Sequence, residues 1–268
     1  MKLSIFQVDA FTSKPFGGNP AAIVPLDTWL PTETMQNIAL ENNLAETAFF
    51  VKNGDVYDLR WFTPTIEMDL CGHATLASGY VLFEILGAAG DTLKFSTRSG
   101  ILEVARDGER LVLDFPSRPA AACEVPAGLI EAIGGRPTEV LRSRDYMLVY
   151  GSEAEIRAIE PDFAEILKIP THAVIVTAPG DDSDFVSRFF APEVGVFEDP
   201  VTGSAHCTLI PYWADRLGKT GMFARQVSAR GGELFCELVG DRVKIGGTAT
   251  LFLKGEIYIE DVGREAAA

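Results

Sequence analysis

Four side chains in the sequence stand where they can take part in proton transfer: Glu46, Cys71, His73 and Asp199. Glu46 interrupts an otherwise apolar stretch between Leu44 and Phe50. Apolar surroundings favour the protonated form of a carboxylate, which suits a proton shuttle that works near neutral pH. An exposed glutamate at the rim of a strand would show the same spacing, so both interpretations stand at this point.

Cys71 and His73 flank Gly72 at the predicted start of a helix. The partial positive charge of a helix N-terminus lowers the pKa of an imidazole and of a thiol. We therefore expect His73 to donate or accept a proton as a neutral ring, unless it is a structural histidine. Cys71 is either an activated thiol that assists the reaction or a small buried residue.

These residues belong to a segment that occurs twice. The first copy contains ETAFFV, RWFTP and CGHATLASGYVLFEILG, and the second contains THAVIV, RFFAP and TGSAHCTLIPYWADRLG. Each copy predicts two strands, a loop and a glycine turn that opens a helix. The repeat predicts two related domains whose turns meet at a cleft, where Gly72, His73, Gly203 and Ser204 bind a substrate carboxylate. Alternatively, each glycine only lets a buried helix start tightly.

The two copies differ at the positions that carry chemistry. Ser204 stands where the first copy has His73, and Thr202 stands where it has Cys71. A mechanism with two opposed thiols is therefore excluded. We align the string EDP as a three-residue insertion in the second copy, and its Asp199 is expected either to cap the following helix or to accept a proton.

Hydrophobic patterning predicts an α+β protein with two helices that are central to it. The segments Gly72 to Leu86 and Gly203 to Leu217 are apolar on nearly all sides, which is typical of a buried helix. Pro211 predicts a kink or a late start in the second of them. A further helix is expected after Pro31, ending near Asn42.

Strand-like runs fill most of the remaining chain, with hairpin turns such as Asp107-Gly108. The proline-containing segment 115–122 is the best candidate for a linker. These features predict two pseudo-symmetric domains, 1–117 and 118–268, each a mixed curled β-sheet or barrel around a central buried helix, with the active site in the cleft between them.

Composition narrows the function. A formal net charge of −15 disfavours nucleic acid and anionic membranes as partners. We see no signal peptide and no apolar run long enough for a membrane span, and the four dispersed cysteines are typical of a cytoplasmic protein. His172 and His206 lack partners at metal-ligand spacing, and no glycine loop for a phosphate is present, so we predict no metal and no cofactor.

Four strings identify a resemblance that covers nearly the whole chain: VDAFTSKPFGGNPAAIV, NNLAETAFF, RWFTPTIEMDLCGHATLA and EDPVTGSA. In this order they resemble the PhzF family of phenazine-biosynthesis-like isomerases. The resemblance implies a fold similar to diaminopimelate epimerase, with two pseudo-symmetric domains around central helices. It also implies a tendency to form homodimers.

The resemblance further implies a proton shift without a cofactor. The glutamate of the family's AET motif, which moves a proton on trans-2,3-dihydro-3-hydroxyanthranilate, matches Glu46. The family's histidine and aspartate match His73 and Asp199, which would assist binding and proton handling. A small carboxylated metabolite is therefore the expected substrate. Two other functions remain open: an amino-acid epimerase or racemase that uses Cys71, and a small-ligand-binding protein without catalysis.

Overall fold

The computed structural model describes residues 1–260 of the chain. Its six α-helices in that range are α1 Thr32–Asn42, α2 Gly72–Tyr80, α3 Leu129–Ile133, α4 Glu153–Ala158, α5 Phe163–Ile166 and α6 Gly203–Leu217. A π-helical turn, Val81–Ile85, continues α2, and a 3-10 turn covers Pro192–Val194. None of the helices in residues 1–260 is long and apolar enough to cross a membrane.

Eighteen strands make up most of the rest of the described chain. In the first half they are β1 Lys2–Ala10, β2 Asn19–Leu26, β3 Glu46–Asn53, β4 Val56–Phe62, β5 Glu67–Met68, β6 Thr92–Thr97, β7 Gly100–Asp107 and β8 Arg110–Pro116. In the second half they are β9 Ala121–Ala122, β10 Glu139–Arg142, β11 Tyr146–Val149, β12 Val174–Pro179, β13 Phe185–Ala191, β14 Val196–Asp199, β15 Gly221–Gln226, β16 Gly232–Val239, β17 Arg242–Gly247 and β18 Ala249–Tyr258.

The chain divides into two compact units. The first comprises Met1–Asp114 with residues 246–260, and the second comprises Phe115–Ile245. The main segment of the first unit ends at Asp114, three residues before the boundary expected at 117. The predicted C-terminal domain, 118–268, is too long, because β18 runs antiparallel to β1 along that strand's whole length and therefore belongs to the first unit.

The strand pairings of the two units follow the same order. In the first, β1 pairs antiparallel with β2, β2 parallel with β3, β3 antiparallel with β4, β4 parallel with β6, and β6 antiparallel with β7. In the second, β10, β11, β12, β13, β15 and β16 repeat these pairings in the same sense. Each unit is therefore a mixed sheet, and the predicted duplication extends to the topology.

The registers correct two details of the predicted alignment. Trp61 pairs with Met68 in the first unit, and Phe189 pairs with Asp199 in the second. Asp199 is thus the counterpart of Met68 and lies outside any insertion. The three additional residues fall in the turn 193–197, because a turn can lengthen without disturbing the flanking strand pairs.

A second register change concerns Glu46. Thr47 pairs with Phe62 in the first unit, and Val174 pairs with Phe190 in the second. The counterpart of Glu46 is therefore Ala173, two residues further along than the alignment of ETAFFV with THAVIV suggests. A shift of two residues keeps the same face of a strand, so the hydrophobic pattern could not detect it.

Helix α2 is buried against strands β1, β2, β3, β7 and β18. Its residues from Gly72 to Gly79 are all buried, as the apolar pattern predicts. A Cβ atom at Gly79 would lie 2.8 Å from Cγ1 of Val104, so the glycine permits the close approach of α2 to β7. The position of this helix fixes the residues at its N-terminal end.

Helix α6 continues through Pro211. Proline has no N–H group, so Pro211 cannot donate to the carbonyl oxygen of Cys207 four residues earlier. The backbone N–H of Arg118 donates to that carbonyl instead, at 2.8 Å. The predicted linker segment thus satisfies the acceptor that the proline leaves behind, and the helix needs no late start.

Candidate active site

The start of α2 and the start of β3 bring three of the predicted residues together. Glu46 is the first residue of β3, and the parallel neighbour β2 packs against α2. Cys71 is the N-cap of α2 in an extended conformation and forms no side-chain cap, while Gly72 and His73 form the first turn. The sheet and the helix thereby place Glu46, Cys71 and His73 in one buried cluster.

Glu46 and His73 form the centre of this cluster. Oε2 of Glu46 lies 3.1 Å from Nε2 of His73, and both atoms are buried. Neither atom has a hydrogen bond of regular geometry to any residue in the described range. Buried polar atoms in native proteins nearly always have a hydrogen-bond partner, so two such atoms side by side indicate a functional site.

The expected direction of the His73 pKa is wrong. Burial alone lowers the pKa of the imidazole, but the interactions with its neighbours Cys71 and Glu46 outweigh burial and raise the pKa well above its usual value. Because the Cys71 thiol is itself neutral near pH 7, we attribute the increase to the Glu46 carboxylate. The contacting carboxylate therefore outweighs the helix N-terminus, from which a lowered pKa was predicted.

Of the two interpretations of Cys71, the structure supports the small buried residue and not the activated thiol. Burial, followed by the nearby Glu46 carboxylate, raises the pKa of Cys71 to about 11. The thiol is therefore protonated near neutral pH and is a poor nucleophile and a poor base. Cys71 contributes its small, buried side chain to the cluster, with Sγ 3.5 Å from Nδ1 of His73.

Of two residues that the sequence did not single out, Asn19 extends the cluster and Trp61 lies on the same face of the sheet as Glu46. Nδ2 of Asn19 lies 3.1 Å from Nδ1 of His73, and the side chain is fully buried. Trp61 pairs with Ala48, so its side chain shares the face of the sheet that carries Glu46. Its buried Nε1 has no hydrogen-bond partner among residues 1–260. The one available signal was that both lie within the strings that carry the family resemblance.

The donor atoms of the cluster lie close together but approach different nitrogens of the His73 ring. Glu46, Cys71 and His73 are the only group of three within residues 1–260 whose ligand atoms lie close enough to hold a metal ion. However, Cys71 lies beside Nδ1 of His73, whereas Glu46 lies beside Nε2. Since the two ring nitrogens point in different directions, one cation cannot bind both neighbours through the ring. The set is a poor match for a metal site.

The second unit places Asp199 beside the start of α6. Oγ1 of Thr202, the N-cap of that helix, donates to Oδ2 of Asp199 at 2.5 Å. The buried Gln226 holds both residues: its Oε1 accepts from the Thr202 N–H, and its Nε2 donates to the Asp199 carbonyl and to Thr202 Oγ1. Gly203 and Ser204 then begin the helix, so Asp199 lies beside the helix start that these two residues form.

A matching ion pair stabilises the segment before each helix. Arg60 binds Glu67 through Nε and Nη2 at 2.7 and 2.9 Å, and Arg188 binds Glu198 in the same way at 2.7 and 3.0 Å. Glu67 and Glu198 both stand five residues before the first glycine of the helix. Both copies of the duplicated segment therefore contain the same ion pair, but they differ at the reactive positions. Glu46, Cys71 and His73 of the first copy correspond to Ala173, Thr202 and Ser204 of the second.

Comparison with known proteins identifies a family and similar proteins that match nearly the whole chain. Residues 8–255 match the family described as "Phenazine biosynthesis-like protein". A protein of Pseudomonas aeruginosa named as an uncharacterized isomerase is 55% identical over 260 residues, covering 97% of this chain and 100% of that protein. The crystal structure of a phenazine biosynthesis protein of the PhzF family from Enterococcus faecalis has a TM-score of 0.94 and 49% identity, covering 97% of this chain and 100% of that one.

A more distant structure extends the likeness in fold. The crystal structure of a hydroxyproline epimerase from Agrobacterium vitis has a TM-score of 0.61 at 12% identity, covering 97% of this chain and 93% of that one. At this identity the similarity concerns the fold alone, which agrees with the expected relation to diaminopimelate epimerase. The family match and the full-length relatives show that the chain belongs to the PhzF family of phenazine biosynthesis-like proteins.

Proposed function

We propose that the protein is an isomerase that moves a proton on a small carboxylated substrate, with Glu46 as the acid–base residue. The observation that carries this proposal is the buried contact of Glu46 with His73, in which Oε2 and Nε2 lack regular hydrogen bonds within the described chain. A substrate that hydrogen-bonds to either atom supplies the regular hydrogen bond that each of them lacks. Relatives such as the Pseudomonas aeruginosa protein are named isomerases, which supports the reaction class.

The asymmetry of the duplicated segment supports a mechanism with one principal base. The counterparts of Glu46 and Cys71 are Ala173 and Thr202, which cannot exchange a proton near neutral pH. An epimerase of two opposed thiols needs a titratable group at both positions. With Glu46 alone, the group that removes the proton also returns it elsewhere on the substrate, which is a proton shift.

His73 and Asp199 have supporting roles in this proposal. The imidazolium of His73 stabilises the Glu46 carboxylate and can donate a hydrogen bond to charge that develops on the substrate. Asp199 handles a polar group of the substrate, and Gly72, His73, Gly203 and Ser204 supply backbone N–H groups for its carboxylate. That both helix starts serve one substrate stays a prediction. The proposed substrate resembles 2,3-dihydro-3-hydroxyanthranilate, and the protein is proposed to act as a homodimer.

The test separates binding from chemistry. Glu46→Gln preserves the shape of the side chain but cannot take up a proton, so we expect calorimetry to show retained binding of the substrate. Turnover should fall by about 10²–10⁴-fold, the usual contribution of a general acid–base group. Glu67→Gln, which breaks the ion pair with Arg60 outside the cluster, is the matched control and should retain more activity. Turnover of Glu46→Gln near that of wild type would refute the proposal.

A further inference from the structure

The amide of Asn19 meets His73 on the side of the ring that faces away from Glu46. Nδ2 of Asn19 lies 3.1 Å from Nδ1 of His73, and Nε2 on the other side lies 3.1 Å from Oε2 of Glu46. Asn19 and His73 are both buried. A side-chain amide presents either a donor or an acceptor at one place by rotating about its last bond, so it can adapt to either state of an imidazole nitrogen.

The two orientations of the amide have the same consequence for Nε2. With the NH₂ group facing the ring, Nδ1 must accept, and the single proton of a neutral imidazole is therefore on Nε2. With the carbonyl oxygen facing the ring, Nδ1 donates. Because Nε2 faces the ionised Glu46 carboxylate, which can only accept, the ring then carries a proton on both nitrogens and is the imidazolium. We propose that Asn19 is a positioning residue that keeps a proton on Nε2 of His73, facing Glu46, in both protonation states of the ring.

The backbone before Asn19 holds the amide in place. Asn19 is the first residue of β2 and pairs with Ala10 of β1. In the intervening loop Phe11 and Phe16 adopt positive φ angles of 62° and 72°, which is unusual for bulky residues. The buried carboxylate of Asp9 accepts from the Phe16 N–H at 3.0 Å. Strained backbone that its surroundings hold in place is common where a side chain must be delivered accurately.

The other groups that face His73 are consistent with this role. Glu46 approaches from β3 and can only accept in its ionised form. Cys71 approaches Nδ1 at 3.5 Å from the segment before α2, and its protonated thiol can share that nitrogen with Asn19. The thiol is a weak hydrogen-bonding group, so the amide dominates at Nδ1. The inference rests on the proposed function only for the role of the Nε2 proton in the reaction. The position of that proton can be measured without substrate.

The direct measurement is ¹⁵N NMR of the histidine rings across a pH series, since the two nitrogens report separately which of them carries hydrogen. The chain has three histidines, and His206 is an internal reference. Nδ1 of His206 lies 2.8 Å from the carbonyl oxygen of Thr202, which can only accept, so neutral His206 carries its proton on Nδ1. Burial lowers the pKa of His206 to about 4, so this ring is neutral above pH 5. His73 should show the opposite pattern from His206 when neutral.

Two variants of Asn19 separate positioning from packing. Asn19→Asp keeps the size but can only accept at Nδ1, so His73 should stay doubly protonated to a higher pH than in wild type. Asn19→Leu offers neither donor nor acceptor, so His73 should lose its proton at a lower pH, and the Nδ1–H form should appear. Cys71→Ala is the control and should keep the wild-type pattern. His73→Gln assigns the signals.

Specific results would overturn the inference. Neutral wild-type His73 with its proton on Nδ1 would do so, and so would an unchanged titration of His73 in Asn19→Asp. If wild-type His73 stays doubly protonated over the whole pH series, the titration of His73 in Asn19→Leu tests the inference. If Asn19→Leu does not fold, the titrations of His73 in wild type and in Asn19→Asp test it. Wild-type protein with the predicted NMR pattern but no isomerase activity would refute the proposed function while leaving the role of Asn19 intact.

Discussion

At the scale of single residues, the thiol of Cys71 separates the proposed isomerase from a thiol-dependent epimerase. Burial and the neighbouring Glu46 carboxylate raise the pKa of Cys71 to about 11, so the thiol holds its proton under working conditions. We predict that Cys71→Ala lowers turnover by less than about tenfold, whereas loss of a general base costs about 10²–10⁴-fold. Steady-state kinetics check this, and loss of substrate proton exchange in Cys71→Ala would favour the epimerase.

The raised pKa of His73 predicts a pH-dependent contribution to stability. A group whose pKa is higher in the folded state stabilises fully below its unfolded pKa, about 6.5 for histidine, and this contribution is lost as the pH rises through the folded value. The difference in free energy of unfolding between wild type and His73→Gln should therefore shrink as the pH increases. Urea unfolding at several pH values measures this.

The partner residue supplies the control for the pH dependence. The Glu46 carboxylate raises the pKa of His73, so Glu46→Gln should remove most of the effect. A stability difference that grows with pH would contradict the assignment of an imidazolium to this site. At this scale the residue types and their grouping could be predicted from the sequence. The direction of the His73 pKa shift could not, because it depends on which side chains are in contact.

At the scale of elements, the segment before α6 depends on one buried side chain. Gln226 accepts from the Thr202 N–H and donates to the Asp199 carbonyl, which couples β15 to the helix start. We predict that Gln226→Leu destabilises the protein by about 1–3 kcal/mol, because the Thr202 N–H is left buried without its acceptor. Equal midpoints of urea unfolding for Gln226→Leu and wild type would contradict this role.

The duplicated elements also show which parts of the fold the sequence could reveal. Both central helices and the first glycine of each were predictable, because buried helices lack a polar face and glycine turns are distinct. The counterpart of Glu46 was misplaced by two residues, since such a shift preserves the alternation of the strand. Asn19 and Gln226 escaped notice because their roles arise from contacts across 54 and 24 residues of sequence.

At the scale of the whole molecule, the C-terminal strand completes the first unit. Strand β18 pairs with β1 from Lys2 opposite Tyr258 to Ala10 opposite Ala249. Local patterning could predict a strand here but not its partner, which lies at the other end of the chain; the domain prediction 118–268 therefore failed at this end. The repeated pairing order, in contrast, follows from the duplication that the sequence shows.

Removing residues 249–268 should therefore unfold the first unit, because β1 loses the hydrogen bonds of its long antiparallel partner and becomes an exposed edge. Far-UV circular dichroism and urea unfolding measure the loss. Lys254→Gln alters an exposed side chain of β18 while keeping its backbone pairs and should unfold like wild type. A truncated chain as stable as the full one would show that β18 is dispensable.

The most direct test of Glu46 as the group that moves the proton is an isotope experiment. trans-2,3-Dihydro-3-hydroxyanthranilate is incubated in deuterated buffer with wild type or Glu46→Gln, and NMR locates deuterium in the product. We predict conversion with deuterium at the carbon that receives the proton for wild type, and conversion and incorporation slowed by about 10²–10⁴-fold for Glu46→Gln. Conversion with full incorporation by Glu46→Gln at the wild-type rate would contradict the central role of Glu46.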